Sequence, residues 1–588
     1  MKVACIDVET YDPDLKEKGP GAVYGNAKII GIAYGDSVEQ GYIPIEHGQG
    51  VENTSKKRAI TFIEQYVKRY DYVVGANILY DLENLAVFGV HIDEHTKFLD
   101  IQYAAALLNE YEPTNMVFQA KKYGTYKDTD ALVANYAKVF NVAKVNVNDV
   151  YKSLANLDYN IVAEYAKQDV RATLYILEKQ IPTLISSNLW NLFLFECSLI
   201  YLYHKMRMQP IRIDKEVLAS TYREALVGHY SIKSKYPGVN LASNNELGDF
   251  LIKKGIHVPP NANPKSHVRY VIDKDWLQFA DADDTGIIED IKKFREYDKL
   301  KSNFLESYII SRMQLSNGDV ADSIHTVFHP LRGDVYGTVS GRFSSSNPNL
   351  QNIPPGIRNM FIPNEDHEWI KVDRSQIEFR LLVEYAVGGK SDEARRAYLE
   401  NSNTDFHVFV MELTGLARKQ AKICNFLLVY GGSEAKLRKY ARLDALEASR
   451  IYTTYHNKLP FVKFTYNRFY MKARNAGEIR TLLNRRRVFA YNTEYRALNG
   501  YIQGCAADIM KIDMLELWQS GIFSYIGFPL LTVHDELAFS VDKGNLRYLA
   551  ELKDVMEKAY KEYADIKTPL LVNISKGPSW GEQEEYIV

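Results

Sequence analysis

The stretch Leu530-Leu531-Thr532-Val533-His534-Asp535-Glu536-Leu537-Ala538-Phe539-Ser540-Val541 decides how this chain is read. Two apolar, strand-forming runs flank a His-Asp-Glu turn, which predicts a hairpin with carboxylates at its tip. Charges at the end of an apolar hairpin waste burial unless they meet a cation or a substrate. Far upstream, Ile370-Lys371-Val372-Asp373 is a second short apolar strand ending in an acid, followed by Arg374-Ser375-Gln376-Ile377-Glu378-Phe379-Arg380. One Asp from each strand system would form a site for two divalent ions, suited to phosphoryl transfer.

Between these strands lies Arg418-Lys419-Gln420-Ala421-Lys422-Ile423-Cys424-Asn425-Phe426-Leu427-Leu428-Val429-Tyr430-Gly431-Gly432. At about 100° per residue each step of four advances roughly 40°, so Arg418, Lys422, Phe426 and Tyr430 span about 120° of one helix face. Such a face can neutralise a triphosphate with its two cations and stack a base or sugar on Phe426. Gly431-Gly432 suits a helix stop. Taken alone, the same helix could equally bury Phe426 and Tyr430 in a core.

A second acid set opens the chain. In Val3-Ala4-Cys5-Ile6-Asp7-Val8-Glu9-Thr10, residues two apart on a strand share a face, so Asp7 and Glu9 project together. Adjacent carboxylates repel unless a cation sits between them, and oxygen ligands suit Mg²⁺ or Mn²⁺. Gly75-Ala76-Asn77-Ile78-Leu79-Tyr80-Asp81 adds a third acid. Tyr165-Ala166-Lys167-Gln168-Asp169 adds a fourth, with Tyr165 four residues earlier on the same helical face. Such a set can hold two metal ions about 4 Å apart and orient a water beside a phosphodiester.

Length and composition bound the rest. At 588 residues the chain is too long for one core, and 46% hydrophobic with 25% charged residues excludes a mainly disordered or fibrous protein. The formal charge of −2 argues against binding nucleic acid through bulk positive charge. The charge is nevertheless uneven. Arg418, Lys419, Lys422, Lys436, Arg438, Lys439 and Arg442 face only Glu434 in one block. Lys472, Arg474, Arg480, Arg485, Arg486 and Arg487 face only Glu478 in another. Both blocks are expected to form a footprint for phosphates in an otherwise acidic chain. Four scattered cysteines, no signal peptide and no uninterrupted apolar span point to a reducing, cytoplasmic setting without a membrane. Strands alternate with helices to about residue 180. A mostly helical stretch follows to about 310, interrupted by Val258–Pro264, and strands then return around a helical block at about 404–470. No repeat or flexible linker is visible, so the parts are expected to pack rigidly.

The N-terminal acids resemble the 3′–5′ exonuclease domain of the DEDD group, with tyrosine at the variable position, over roughly residues 1–185. That resemblance implies Asp7, Glu9, Asp81 and Asp169 as metal ligands and Tyr165 as the group orienting the attacking water. Asp373–Arg380, Arg418–Gly431 and His534–Glu536 resemble motifs A, B and C of the family A DNA polymerases, the bacterial DNA polymerase I family. Thr338–Ser345, Asn347–Pro354, Gln503–Asp508, Gly577–Gly581 and the thumb-like Lys299–Ser302 match as well. The implied fold is α/β plus α+β and multidomain: an RNase H-like exonuclease domain at 1–185, then a right-hand polymerase domain at 186–588. Within the latter, the thumb would take about 200–325, the palm about 326–400 and 496–588, and the fingers about 401–495.

The resemblance implies Asp373 and Asp535 as catalytic metal ligands, Glu536 beside them, and two Mg²⁺ or Mn²⁺ ions at each active site. Arg418, Lys422, Phe426, Tyr430, Gln376 and His534 would meet the incoming dNTP, and Glu378 would screen against a ribose 2′-hydroxyl. Arg342, Gln503, Asn499, Lys299 and Lys301 would contact primer-template DNA. Arg374 departs from the family pattern and receives no role. The implied protein is a monomeric, Klenow-like proofreading polymerase without a fused 5′-nuclease, of the compact kind found in bacteriophages. Rival readings are a nuclease with a passive DNA grip, a single-subunit RNA polymerase and a non-enzymatic scaffold. Glu378 and the second carboxylate pair weigh against them.

Overall fold

The first strand, Val3–Tyr11, becomes the middle of a five-stranded sheet because its apolar residues can be covered on both faces. Its neighbours run in the order Gln40–Pro44, Lys28–Gly35, Val3–Tyr11, Tyr72–Gly75 and Phe98–Asp100. The first three are antiparallel and the last two join in parallel, as crossovers through helices require. This is a computed structural model, and it describes residues 1–48, 50–125, 128–263, 265–280, 286–315, 318–441 and 443–588. The helix Ile78–Phe88 and the long helix Tyr159–Ser186 pack against the first strand.

The second large sheet runs Leu531–Val533, Glu536–Asp542, His367–Arg374, Val572–Gly577, Glu584–Glu585, all antiparallel. One apolar core is continuous from Cys5 and Val74 under the first sheet, through Phe193 and Tyr203, to Trp369, Val372 and Leu537 under the second. A separate core gathers the helices of the central block, including Leu381, Leu428, Ile451, Phe461 and Ile502. A third, around Leu247, Leu251 and Ile291, holds the helices Lys215–Lys235, Asn244–Lys253 and Ile287–Lys299. The last of these continues as the π-helix Leu300–Ile310. The break expected at Val258–Pro264 follows the helix Asn244–Lys253, and Pro264 itself lies outside the described residues.

The expected rigid packing takes a specific form, and it corrects the reading of the second basic block. Arg487 pairs with Glu110 at 2.9 Å, Arg486 donates to the Leu108 carbonyl at 2.5 Å, and Arg480 donates to the Ser187 carbonyl at 3.1 Å. Arg485 is buried against Glu196 and Asp508, and Lys511 closes the group on Glu196 at 2.7 Å. Four of the six cations therefore bind the C-terminal part of the chain to its N-terminal third or to its own interior, leaving Lys472 and Arg474 exposed. A buried cation is tolerated only when paired, and this pairing needs acids from elements far apart in sequence. Gly341 lies over Arg485: its φ is +82°, and a Cβ there would stand 2.5 Å from Arg485 Nε. A buried pair between Arg207 and Glu83, at 2.6 Å, ties the helix Ile200–Met208 to Ile78–Phe88.

Arg374 also receives an explanation. It is 1% exposed. Its guanidinium donates to both carboxylate oxygens of Asp513, to the Leu570 carbonyl at 2.7 Å and to the Met556 carbonyl at 2.5 Å. It locks the strand end that carries Asp373 to the helix Ala497–Gln519 and to the chain entering Val572–Gly577.

Candidate active sites

Strand geometry builds the N-terminal site. Asp7 and Glu9 leave the same face of Val3–Tyr11, and Asp169 reaches them from Tyr159–Ser186, so oxygens of all three lie within 4.8 Å of one another. Asp81 stands in the first turn of Ile78–Phe88, buried, with its Oδ1 accepting the Val8 N–H at 2.9 Å. It lies outside the three-acid group, yet Asp7 is close enough that its charge, after burial, raises the Asp81 carboxyl well above the usual range. The same acids act on Cys5, whose thiol is raised by burial and then by Asp7 and Asp81. Tyr165 is buried one helical turn before Asp169, its phenol raised by burial and then by the charges of Asp169 and Glu9. Three clustered carboxylates are hard oxygen donors, and they fit Mg²⁺ or Mn²⁺.

The C-terminal site is assembled from more distant parts. Asp373 is the last residue but one of its strand, directly opposite Glu536. Asp535 occupies the hairpin turn, where the Arg374 N–H donates to its carbonyl at 3.1 Å. His534 takes a left-handed φ of +59°, which tightens the turn. Burial, and next the Asp535 charge, push the Asp373 carboxyl up to about 7, while Lys371 and Lys422 pull it back. Asp535 is raised by burial and lowered by Arg342. Glu536 is buried and held by Lys371 at 3.4 Å and by the Trp580 Nε1–H at 3.2 Å. An acid pair this costly to ionise, half-buried and flanked by cations, fits divalent ions and an anionic substrate.

The helix Arg418–Val429 presents its polar face here. Lys422 is exposed and close enough to act on Asp373, with its Nζ 5.9 Å from the Phe426 ring centre. Arg418 is largely exposed and pairs with Asp405 at 3.0 Å. Tyr430 follows the helix and donates its hydroxyl to Glu378, whose other oxygen meets Arg342 at 2.5 Å. Arg342, expected on DNA, is thus held by Glu378 in this structure. Gln376 takes a φ of +50° and precedes the helix Ile377–Glu384. Asn499 and Gln503 are half-buried, one turn apart on Ala497–Gln519. Lys299 is exposed on a cleft of about 1610 Å³ that Lys274, Lys292 and Lys293 also line. Lys301, expected on DNA, pairs with Glu306 at 3.2 Å. Of the first basic block, Lys436, Arg438 and Lys439 are exposed on the adjoining helix, and Arg442 lies outside the described residues. Sequence reasoning gave no role to Lys371, although period-two alternation puts it on the same strand face as Asp373.

The chain matches the model of DNA polymerase family A over residues 218–582. A DNA-directed DNA polymerase of Pseudomonas phage M6 is 28% identical, covering 99% of this chain and 94% of its own length. DNA polymerase I of Borreliella burgdorferi is also 28% identical over 99% of this chain, which spans 62% of that longer protein. DNA polymerase I of Geobacillus stearothermophilus is 32% identical over 58% of this chain and 40% of its own. The chain shares its fold with the POL domain of Pol1 from M. smegmatis, solved in complex with DNA primer-template and dNTP. The TM-score is 0.73 at 21% identity, covering 94% of this chain and 93% of that one.

Proposed function

The chain belongs to DNA polymerase family A, and from that premise we propose that it extends a primer on a DNA template at Asp373 and Asp535 and trims 3′ ends at Asp7, Glu9 and Asp169. The observation that carries the polymerase reading is the strand register that sets Asp373 against the Asp535–Glu536 turn, with Lys422 facing the pair. In this reading residues 1–185 form the exonuclease domain. The thumb, palm and fingers follow the ranges given above, and the substrates are primer-template DNA and dNTPs.

Asp373 and Asp535 would hold the divalent ions of the polymerase site. Asp7, Glu9 and Asp169 would hold those of the exonuclease, with Asp81 as a further ligand. Bound there, the ions supply charge stabilisation to the transferring phosphoryl group and lower the pKa of a nucleophile. The remaining work falls to this chain's side chains. Arg418 and Lys422 meet the triphosphate, Phe426 and Tyr430 meet sugar and base, and Glu378 walls off C2′. Gln376 and His534 border the nucleotide and primer end, while Arg342, Asn499, Gln503, Lys299 and Lys301 track the DNA. Tyr165 orients the water that attacks the 3′-terminal phosphodiester. Among the described residues no helix is long and apolar enough to cross a membrane.

Primer extension with each nucleotide omitted in turn tests the polymerase. Synthesis should stop one position before each template base that calls for the missing dNTP. Extension with ribonucleotides alone would favour an RNA polymerase. Shortening of a mismatched primer without dNTPs tests the exonuclease.

A further inference from the structure

The N-terminal sheet brings more than carboxylates to its acid site. Asp7, Ala33 and Tyr42 stand opposite one another on three neighbouring strands, and Glu9, Gly31 and Pro44 form the next row. Opposed residues share a face, so the Tyr42 side chain lies on the face of Asp7 and Glu9. The residues between are small, and the phenol leans over the gap they leave. A Cβ added to Gly31 would stand 2.0 Å from the Tyr42 hydroxyl. Glycine at 31 is what admits the ring, and Gly31 is the direct partner of Glu9.

The hydroxyl is also oriented. Tyr42 Oη lies 2.9 Å from His47 Nε2. His47 is buried, and its backbone is clamped by Asn53: the His47 N–H donates to Asn53 Oδ1 at 3.0 Å, and Asn53 Nδ2 donates to the His47 carbonyl at 2.8 Å. The imidazole stands edge-on to Tyr159 at 5.6 Å, and Tyr159 opens the helix that carries Tyr165 and Asp169. The strand Gln40–Pro44 and the helix that carries Asp169 therefore both contact the same imidazole. After burial, the Glu9 charge is the largest influence raising the Tyr42 phenol, with Tyr159 and Asp7 behind it. A ring serving only as apolar filler would need neither a buried hydroxyl at that point nor a histidine bonded to it.

We propose that Tyr42, oriented by His47, is a positioning residue of the N-terminal site: its hydroxyl, set over Gly31 opposite Glu9, limits where the Glu9 carboxylate lies in the group that holds a divalent ion. This rests on the reading of Asp7, Glu9 and Asp169 as that group. Tyr42 acts through Glu9 and touches neither substrate nor reacting atoms, as outer partners that hold a metal ligand do.

The test uses the full chain in two measurements. One is Mn²⁺ titration without DNA, with Asp7→Ala defining loss of the site. The other is the kinetics of single-stranded oligonucleotide degradation. Tyr42→Phe keeps the ring and removes the hydroxyl. It should weaken Mn²⁺ binding about tenfold and lower kcat for degradation by a similar factor, with KM and primer extension unchanged. His47→Leu should follow it, and His47→Gln, which retains a hydrogen-bonding group, should recover most of the loss. Wild-type Mn²⁺ affinity in Tyr42→Phe overturns the proposal. So does a loss accompanied by higher KM or by weaker primer extension, which marks general loosening. If Asp7→Ala itself leaves Mn²⁺ binding and degradation intact, the acid-group reading falls and this proposal falls with it.

Discussion

The two acid groups are built in opposite ways. At the N-terminal site two carboxylates come from one strand and a third from one helix, and acids act on acids: Asp7 raises Asp81 and, with it, Cys5. At the C-terminal site a strand end meets a hairpin turn, and Lys371, Lys422 and Arg342 moderate the acids from different elements. The first arrangement is a compact cradle whose geometry follows from local backbone. The second is a junction where several parts must dock, with cations already present to meet an anionic substrate. Each site has its own acids, and the two should fail separately.

The largest expected effect is at the junction. Asp535→Ala should lower primer extension by at least about a thousandfold, since a ligand acting on the transition state cannot be replaced by water. Shortening of a mismatched primer should continue at the wild-type rate. Asp7→Ala with Glu9→Ala should do the reverse, removing 3′-end shortening by a similar factor while extension persists. A double variant that still trims at the normal rate would place the nuclease elsewhere.

The next effect concerns what holds the junction together. Arg374→Met leaves Asp513 buried without its partner, which should cost about 3–5 kcal/mol, read by urea unfolding. Adding Asp513→Leu should return much of that loss. If Arg374→Met were as stable as wild type, the locking role of Arg374 would be wrong.

The acid pair itself supplies a smaller, signed effect. Asp373 has a folded pKa of about 7 against an unfolded value near 3.9, so its ionisation opposes folding. Stability from this group is fully present below about pH 4 and is lost as pH rises to about 7. Without divalent ions, Asp373→Asn should therefore stabilise the chain above pH 7 by on the order of 2 kcal/mol, allowing for partial solvent access. The gain should shrink towards pH 4, as unfolding curves at both pH values would reveal.

The smallest effect tests Glu378, which joins Arg342 to Tyr430 beside the pair. Glu378→Ala should raise the ratio of ribonucleotide to deoxyribonucleotide kcat/KM by about 10–100-fold, because a carboxylate against C2′ leaves no room for a hydroxyl. An unchanged ratio would remove Glu378 from the sugar-facing wall.

Legibility followed the range of the interactions. Asp7 and Glu9 could be found because two residues apart on a strand is a fixed geometry, and Tyr165 with Asp169 because one helical turn is another. The His534–Glu536 turn was marked by apolar runs on either side. The second basic block misled for the opposite reason. Whether Arg485 and Arg487 face solvent or a buried acid depends on Glu196, Asp508 and Glu110, and no local pattern announces those partners. Arg374 is the same case, its acceptors Asp513, Met556 and Leu570 all lying far along the chain. Tyr42 needed the register of three strands before its closeness to Glu9 could be seen.

The independence of the two sites is tested most directly by idling turnover, in which dNTP is converted to dNMP at a primer end that is repeatedly extended and trimmed. The wild-type chain should sustain this conversion, while Asp535→Ala and the Asp7→Ala, Glu9→Ala double variant should each fail alone. Mixing the two variants on one primer-template should restore dNMP release, because each supplies the step the other lacks. If the mixture stays inactive while each variant retains its own half-reaction, or if either substitution abolishes both half-reactions, the account of two separate acid sites is contradicted.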